Sequence, residues 1–223
     1  MLKDKFESIV AQINQAKAKA NRHDKVHLIG VTKYVDISQA RALVQAGVDE
    51  IAENRTELFL EKYHAMQDLE VTWHLIGSLQ RRKVKDVINL VDYFHALDSF
   101  KLAQEIQKRA QKTISVFVQV NVSGEASKHG VSPEDLLPFI KALAALSHIT
   151  VVGLMTMAPM DADDSDLRKY FSALRQYRDE IEALNLSYAP CHELSMGMSR
   201  DYPIAIEAGA TYVRIGSDFF KNN

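Results

Sequence analysis

Short apolar runs alternate with longer amphipathic stretches along almost the whole of this chain. Phe6, Ile9, Val10 and Ile13 recur at helical spacing between charged residues, so the chain opens on a helix, which Asn21-Arg22-His23-Asp24 ends. The apolar runs that follow cover residues 26–32, 50–52, 71–75, 93–96, 114–120, 150–155, 188–194 and 211–215, and each reads as a strand. Helical patterns lie between them, over 37–46, 58–67, 101–110, 136–146 and 167–184. Ser132-Pro133-Glu134-Asp135 is a helix start, with a serine cap, a first-turn proline and acids at the positive end of the helix dipole. Asp163-Asp164-Ser165-Asp166 starts the next helix in the same way, which we read as capping rather than metal binding.

The spacing predicts the architecture. Roughly 200 residues after the first helix, shared by eight units, leave about 25 residues for each strand, helix and pair of short loops. Strands alternating with helices imply a parallel sheet, and eight such units close a (β/α)8 barrel of the TIM type. The 223 residues lie inside the usual range of that fold. An open doubly wound sheet rarely needs eight regular units. No stretch rich in Pro, Gly or Ser divides the chain, so residues 1–223 are expected to form a single α/β domain with an extra N-terminal helix.

Composition narrows the function classes. With 27 basic and 29 acidic residues the formal charge is −2, which provides no net field toward nucleic acid or an anionic membrane. A single cysteine, Cys191, rules out an internal disulfide and a thiolate zinc cage. No apolar run approaches the roughly 18 residues that span a bilayer, and the first residues carry no signal-peptide core. A cytoplasmic monomer is the expectation. The basic stretch Gln80-Arg81-Arg82-Lys83-Val84-Lys85 has no interleaved aromatics and reads as a solvated helix face near the mouth.

In such a barrel the chemistry sits where the strands end. Lys33 follows the first apolar run, Glu53-Asn54-Arg55 the second and Gly77-Ser78 the third; His74 and His95 lie on the third and fourth. Asp98 follows the fourth run, Asn121 the fifth, and Met155-Thr156 closes the sixth. Ser195-Met196-Gly197-Met198-Ser199 follows the seventh, and Arg214-Ile215-Gly216-Ser217 closes the eighth. Barrel closure places strand eight beside strand one, which makes Lys33 and Arg214 neighbours although they are 181 positions apart. The loops after strands seven and eight are the usual phosphate site of the fold. Here they carry Ser195, Gly197, Ser199, Gly216 and Ser217, which combine close backbone approach with hydroxyl donors.

These residues carry a resemblance. Gly30-Val31-Thr32-Lys33, Glu53-Asn54-Arg55, Trp73-His74-Leu75-Ile76-Gly77, Gly153-Leu154-Met155, Leu194-Ser195-Met196-Gly197-Met198-Ser199 and Val213-Arg214-Ile215-Gly216-Ser217 resemble the pyridoxal phosphate homeostasis proteins, single-domain relatives of the alanine racemase barrel. The likeness runs from about Lys5 to about Phe220. It implies that Lys33 carries pyridoxal 5′-phosphate as an aldimine and that Arg214 meets the pyridine nitrogen. It further implies that Ser195, Ser199, Gly216 and Ser217 surround the phosphate, with Asn54 and Met155 lining the ring; Gly197 completes the candidate cofactor-binding set. The chain departs from the family pattern at Tyr34, at Ile51-Ala52 and at Asp218-Phe219-Phe220-Lys221.

A lysine at a buried strand end, near a guanidinium, is pushed toward the neutral amine that attacks an aldehyde. Arginine stays protonated and only donates, so it makes the pyridine ring a weak electron sink. Only nine residues follow Arg214, so no second domain is expected to supply the second base of a racemase. The expectation is therefore a non-catalytic holder of the cofactor, buffering it or passing it to apo-enzymes that depend on it. The alternative is a weak amino-acid racemase that uses water or Tyr34 as its second base. Lys128, in Ser127-Lys128-His129-Gly130, matches a family loop and reads as a surface amine near the mouth.

Overall fold

The computed structural model describes residues 1–125 and 129–221; Lys128 lies outside the described residues. Helix α1 (Leu2–Lys19) precedes the barrel. The strands are β1 (His27–Val31), β2 (Glu50–Glu53), β3 (Thr72–Leu75), β4 (Tyr93–Leu97), β5 (Ile114–Gln119), β6 (Ile149–Met155), β7 (Glu193–Met198) and β8 (Tyr212–Ile215). All neighbours pair in parallel, and β8 returns to β1 to close the barrel, with Ile29 opposite Arg214 and Gly30 opposite Ile215. The helices outside it are α2 (Ile37–Gln45), α3 (Thr56–Ala65), α4 (Val84–Val87), α5 (Phe100–Arg109), α6 (Pro133–Ala142), α7 (Asp164–Glu182), α8 (Tyr202–Glu207) and α9 (Ser217–Phe220). The (β/α)8 barrel expected from the sequence is the fold observed. Among the described residues no helix is long and apolar enough to cross a membrane.

Local chemistry sets the helix starts. Ser132 accepts a bond from Asp135 N and Asp163 one from Asp166 N, so both anticipated caps form. Asp36 caps α2 through Gln39 N, and Gln39 returns the favour to the Asp36 amide. Helix α1 buries Ile9, Ile13 and Ala16 and packs on α8 and α9. Its Lys5 ammonium donates to the carbonyls of Phe219 and Lys221, and Tyr202 Oη donates to Gln12, so the first helix ties down the last turn at the barrel mouth.

Two expectations are corrected. The seventh strand does not run over 188–194; it begins at Glu193 and continues through Ser195 to Met198. The apolar 188–191 segment is a turn, because Pro190 cannot donate and Cys191 takes a left-handed φ of 50° that breaks an extended run. It still docks on β6, with Val151 N donating to Tyr188 O and Cys191 N to Val151 O. The basic stretch is not one helix face but a 3-10 turn (Arg81–Lys83) leading into the short α4, with Arg81, Arg82 and Lys85 exposed and Val84 buried.

Candidate functional site

Strand alternation aims the side chains. On β1, Gly30 faces outward: a Cβ there would meet Leu43 and Val48 within 3 Å. His27, Ile29 and Val31 therefore face the barrel interior, and two residues past Val31 the same alternation turns Lys33 inward at the mouth. On β8 the same period turns Tyr212 and Arg214 inward, and on β5 Phe117 and Gln119. A cavity of about 700 Å³ opens at this end, lined by Lys33, Asn54, Gln119, Ser199, Arg214 and Ser217 among others. Lys33 and Arg214, distant in sequence, thus face one space.

Arg214 is 3% exposed and fixed from below: Nη1 donates to Ser195 Oγ at 2.6 Å and Nη2 to Thr156 O at 2.9 Å. Burial pulls its guanidinium down to about 10, with the Asp201 charge countering, so it remains a cation at neutral pH. Asn54 Oδ1 is buried with no hydrogen-bond partner, on the wall of the same cavity. Such an orphan acceptor costs free energy unless something donates to it. Asn54 is held by a close approach, since a Cβ on Gly77 would come within 2.0 Å of its carbonyl oxygen.

At the β7–β8 corner Ser199 Oγ accepts long bonds from Gly216 N (3.3 Å) and Asp218 N (3.4 Å). Gly216 is packed against β1, where a Cβ would sit 3.2 Å from Val31 O. Asp218 stands at the same corner. Burial raises its carboxyl, and the Ser199 and Ser217 hydroxyls with Lys221 and Lys5 act against that rise.

The structure brings Lys33, Asn54, Ser199, Arg214, Gly216 and Ser217 to the cavity wall. It places Met155, Ser195 and Gly197 beneath that wall rather than on it. Met155 and Ser195 are register partners on β6 and β7, buried in the interior, and Ser195 spends its oxygen on Arg214. Gly197 has a φ of 93° and lies where a Cβ would meet Ala205 at 2.6 Å, so it allows the β7 irregularity that delivers Met198 and Ser199 to the cavity. Asn121 is drawn aside, its amide donating to Glu125 O. Gln119, His129 and Met157 line the cavity without having been singled out; for Gln119 the signal was its alternation with Phe117 on one strand. Tyr34 is 88% exposed on the rim, with Lys33 Nζ 4.8 Å from its ring centre. Among the described residues no cluster of His, Cys, Asp or Glu is arranged to hold a metal ion.

The family described as alanine racemase, N-terminal domain, matches residues 5–223. A pyridoxal phosphate homeostasis protein of Aquifex aeolicus is 41% identical over 97% of this chain and 96% of its own. One from Pseudomonas aeruginosa is 34% identical over 95% and 91%. Among solved structures, PipY of Synechococcus elongatus with pyridoxal phosphate bound superposes with a TM-score of 0.87 at 27% identity, over 99% of this chain and 100% of that one. An alanine racemase of Clostridium difficile shares the fold, with a TM-score of 0.78 at 16% identity over 57% of its length.

Proposed function

Because this chain belongs to the pyridoxal phosphate homeostasis proteins, within the alanine racemase N-terminal domain family, we propose that it holds pyridoxal 5′-phosphate at the barrel mouth and buffers or delivers it to apo-enzymes, as a cytoplasmic monomer. The observation that carries this reading is the convergence of Lys33 and Arg214 on one cavity whose wall holds an unpaired acceptor, Asn54 Oδ1. The cavity's size falls inside the range of about 300–1,000 Å³ usual for small-ligand sites. The residues therefore fit the cofactor.

When bound, the cofactor supplies a reactive aldehyde on an electron-withdrawing ring. Lys33 Nζ would be the amine that holds the cofactor through its aldehyde group. Asn54 would line the ring. Ser199, Gly216 and Ser217 would hold the phosphate, with the Asp218 carboxyl beside them opposing the anion's charge. Ser195, Met155 and Gly197 support the wall from below. Arg214 stays cationic, so at the ring nitrogen it would donate a hydrogen bond without giving up its proton. That arrangement suits holding a reactive aldehyde better than rapid abstraction of an α-proton.

Solvent-deuterium exchange at the α-carbon of alanine and other common amino acids tests the reading. We expect no appreciable exchange by the loaded protein, and movement of its cofactor to an apo-enzyme on mixing. Exchange at about 1–1000 per second, the usual enzyme range, would replace the carrier with a catalyst. Loss of that exchange in Tyr34→Phe would then name the base.

A further inference from the structure

A continuous line of buried polar groups runs through the barrel interior beneath Arg214. Ser195 Oγ lies 2.8 Å from His95 Nδ1, His95 Nε2 lies 2.9 Å from His74 Nδ1, and His74 Nε2 lies 3.0 Å from Glu50 Oε2. Glu50 Oε1 is hydrogen-bonded to Nδ1 of His27, which lies at the opposite end of the barrel. His74, His95 and Ser195 are fully buried and Glu50 is 6% exposed. Polar side chains in a barrel core are costly unless every contact is a matched donor and acceptor, so the direction of each bond can be worked out.

The two ends fix the direction independently. At the top, a guanidinium can only donate, so Ser195 Oγ accepts from Arg214; the buried hydroxyl hydrogen also needs an acceptor, and His95 Nδ1 is the one in hydrogen-bond contact with it. His95 must then carry its proton on Nε2 and donate to His74 Nδ1, which leaves His74 Nε2–H to donate to Glu50. At the bottom, burial alone would raise Glu50, but the bonds from His27 and His74 outweigh it and hold the carboxyl at about 2, so it only accepts. Burial lowers His74 and lowers His95 strongly, so each ring keeps one proton. Starting from Glu50 gives the same tautomers as starting from Arg214.

We propose that Glu50, His74, His95 and Ser195 form a one-way hydrogen-bond relay that positions the Arg214 guanidinium on the cavity floor and lets the Glu50 carboxylate polarise its contact with Ser195. Among the described residues no carboxylate forms an ion pair with Arg214; Asp201 acts on it through space while its Oδ1 accepts from Met198 N. The relay supplies the directional contact that Asp201 does not. These four are positioning residues, and their bearing on the cofactor rests on the reading of Arg214 given above.

Histidine side-chain nitrogen-15 NMR of the cofactor-free protein tests the relay by itself. His74 and His95 are each expected as the neutral Nε2–H tautomer at pH 7; an Nδ1–H tautomer or a doubly protonated ring at either position overturns the proposal. Two variants then read its effect on bound pyridoxal 5′-phosphate labelled at the pyridine nitrogen. Ser195→Ala cuts the relay, and Glu50→Gln keeps an acceptor while removing the charge. Both are expected to shift the pyridine nitrogen signal, and Ser195→Ala to weaken binding about tenfold, the scale of one charge-assisted hydrogen bond. Ser195→Thr, which keeps the hydroxyl, restores the wild-type signal. An unmoved pyridine signal in both variants overturns the relay while leaving cofactor binding intact. A wild-type protein that binds no cofactor refutes the functional reading instead, and the tautomers still decide the relay.

Discussion

Two residues along a strand separate two different interiors in this barrel. Phe117 on β5 and Tyr212 on β8 belong to a packed lower layer in which rings fill the space. Tyr212 stacks on His27 at 4.2 Å between ring centres and meets Phe117 edge-on at 5.3 Å, and His95 stacks on Phe117 at 4.3 Å. The next inward positions on the same two strands are Gln119 and Arg214, and there the interior opens into the cavity of about 700 Å³. Below, polar groups are matched in a closed line; above, Asn54 Oδ1 has no partner. On the proposed reading, stability is concentrated in one layer and binding capacity in the next, so a substitution is expected to affect mainly the property of its own layer.

The strongest way to break that division is a pair of truncations. Tyr212→Ala empties the lower layer and is expected to lower unfolding free energy by about 3–5 kcal/mol, the range for large buried rings. Lys33→Ala, on the cavity wall, is expected to leave it within about 0.5 kcal/mol of wild type. Urea unfolding of the two variants decides; equal losses would mean that the cavity wall is part of the structural core.

Acid sharpens the same contrast. His74 and His95 stay neutral in the fold, whereas in the unfolded chain they take up protons below their ordinary value of 6.5. The unfolded state then binds more protons, so stability falls as pH drops below about 6.5, by up to about 1.4 kcal/mol per pH unit for each ring. Glu50, held near 2 in the fold against an ordinary 4.5, adds a further loss as pH falls through that window. Unfolding midpoints from pH 7.5 to 5 should show this slope unchanged in Lys33→Ala. A flat profile would mean that the buried imidazoles are already charged.

The smallest of these effects concerns the upper layer alone. Valine at position 216 brings a branched side chain against β1, where even a Cβ would sit 3.2 Å from Val31 O. Gly216→Val is expected to weaken binding of pyridoxal 5′-phosphate about tenfold more than that of unphosphorylated pyridoxal, about 1.4 kcal/mol. Equal losses in a titration of both ligands would move the phosphate away from the β7–β8 corner.

The upper layer was the more legible of the two in the sequence. Lys33, Asn54, Ser199, Arg214, Gly216 and Ser217 stand at or just beyond strand ends, where polar residues interrupt apolar runs, and barrel closure predicts their meeting. The relay was not legible: His74 and His95 were visible on their strands, but pairing His74 with Glu50 depends on the β2–β3 register, and His95 meets Ser195 only across the barrel interior, from β4 to β7. Ser195 and Gly197 were assigned to a loop because Tyr188 and Cys191 extended the apparent seventh strand too early. Hydrophobicity does not register the left-handed backbone at Cys191 that ends that run. Inward alternation on β5 would have found Gln119 once Phe117 was recognised as interior.

Borohydride reduction followed by peptide mapping tests the central claim most directly, that the inward-facing amine at the end of β1 holds the cofactor. The protein loaded with pyridoxal 5′-phosphate is expected to be yellow and to lose that colour on reduction. Its one stable adduct is expected on the peptide containing Lys33, with Lys33→Ala yielding none. An adduct confined to Lys62, Lys221 or any other lysine would contradict the account.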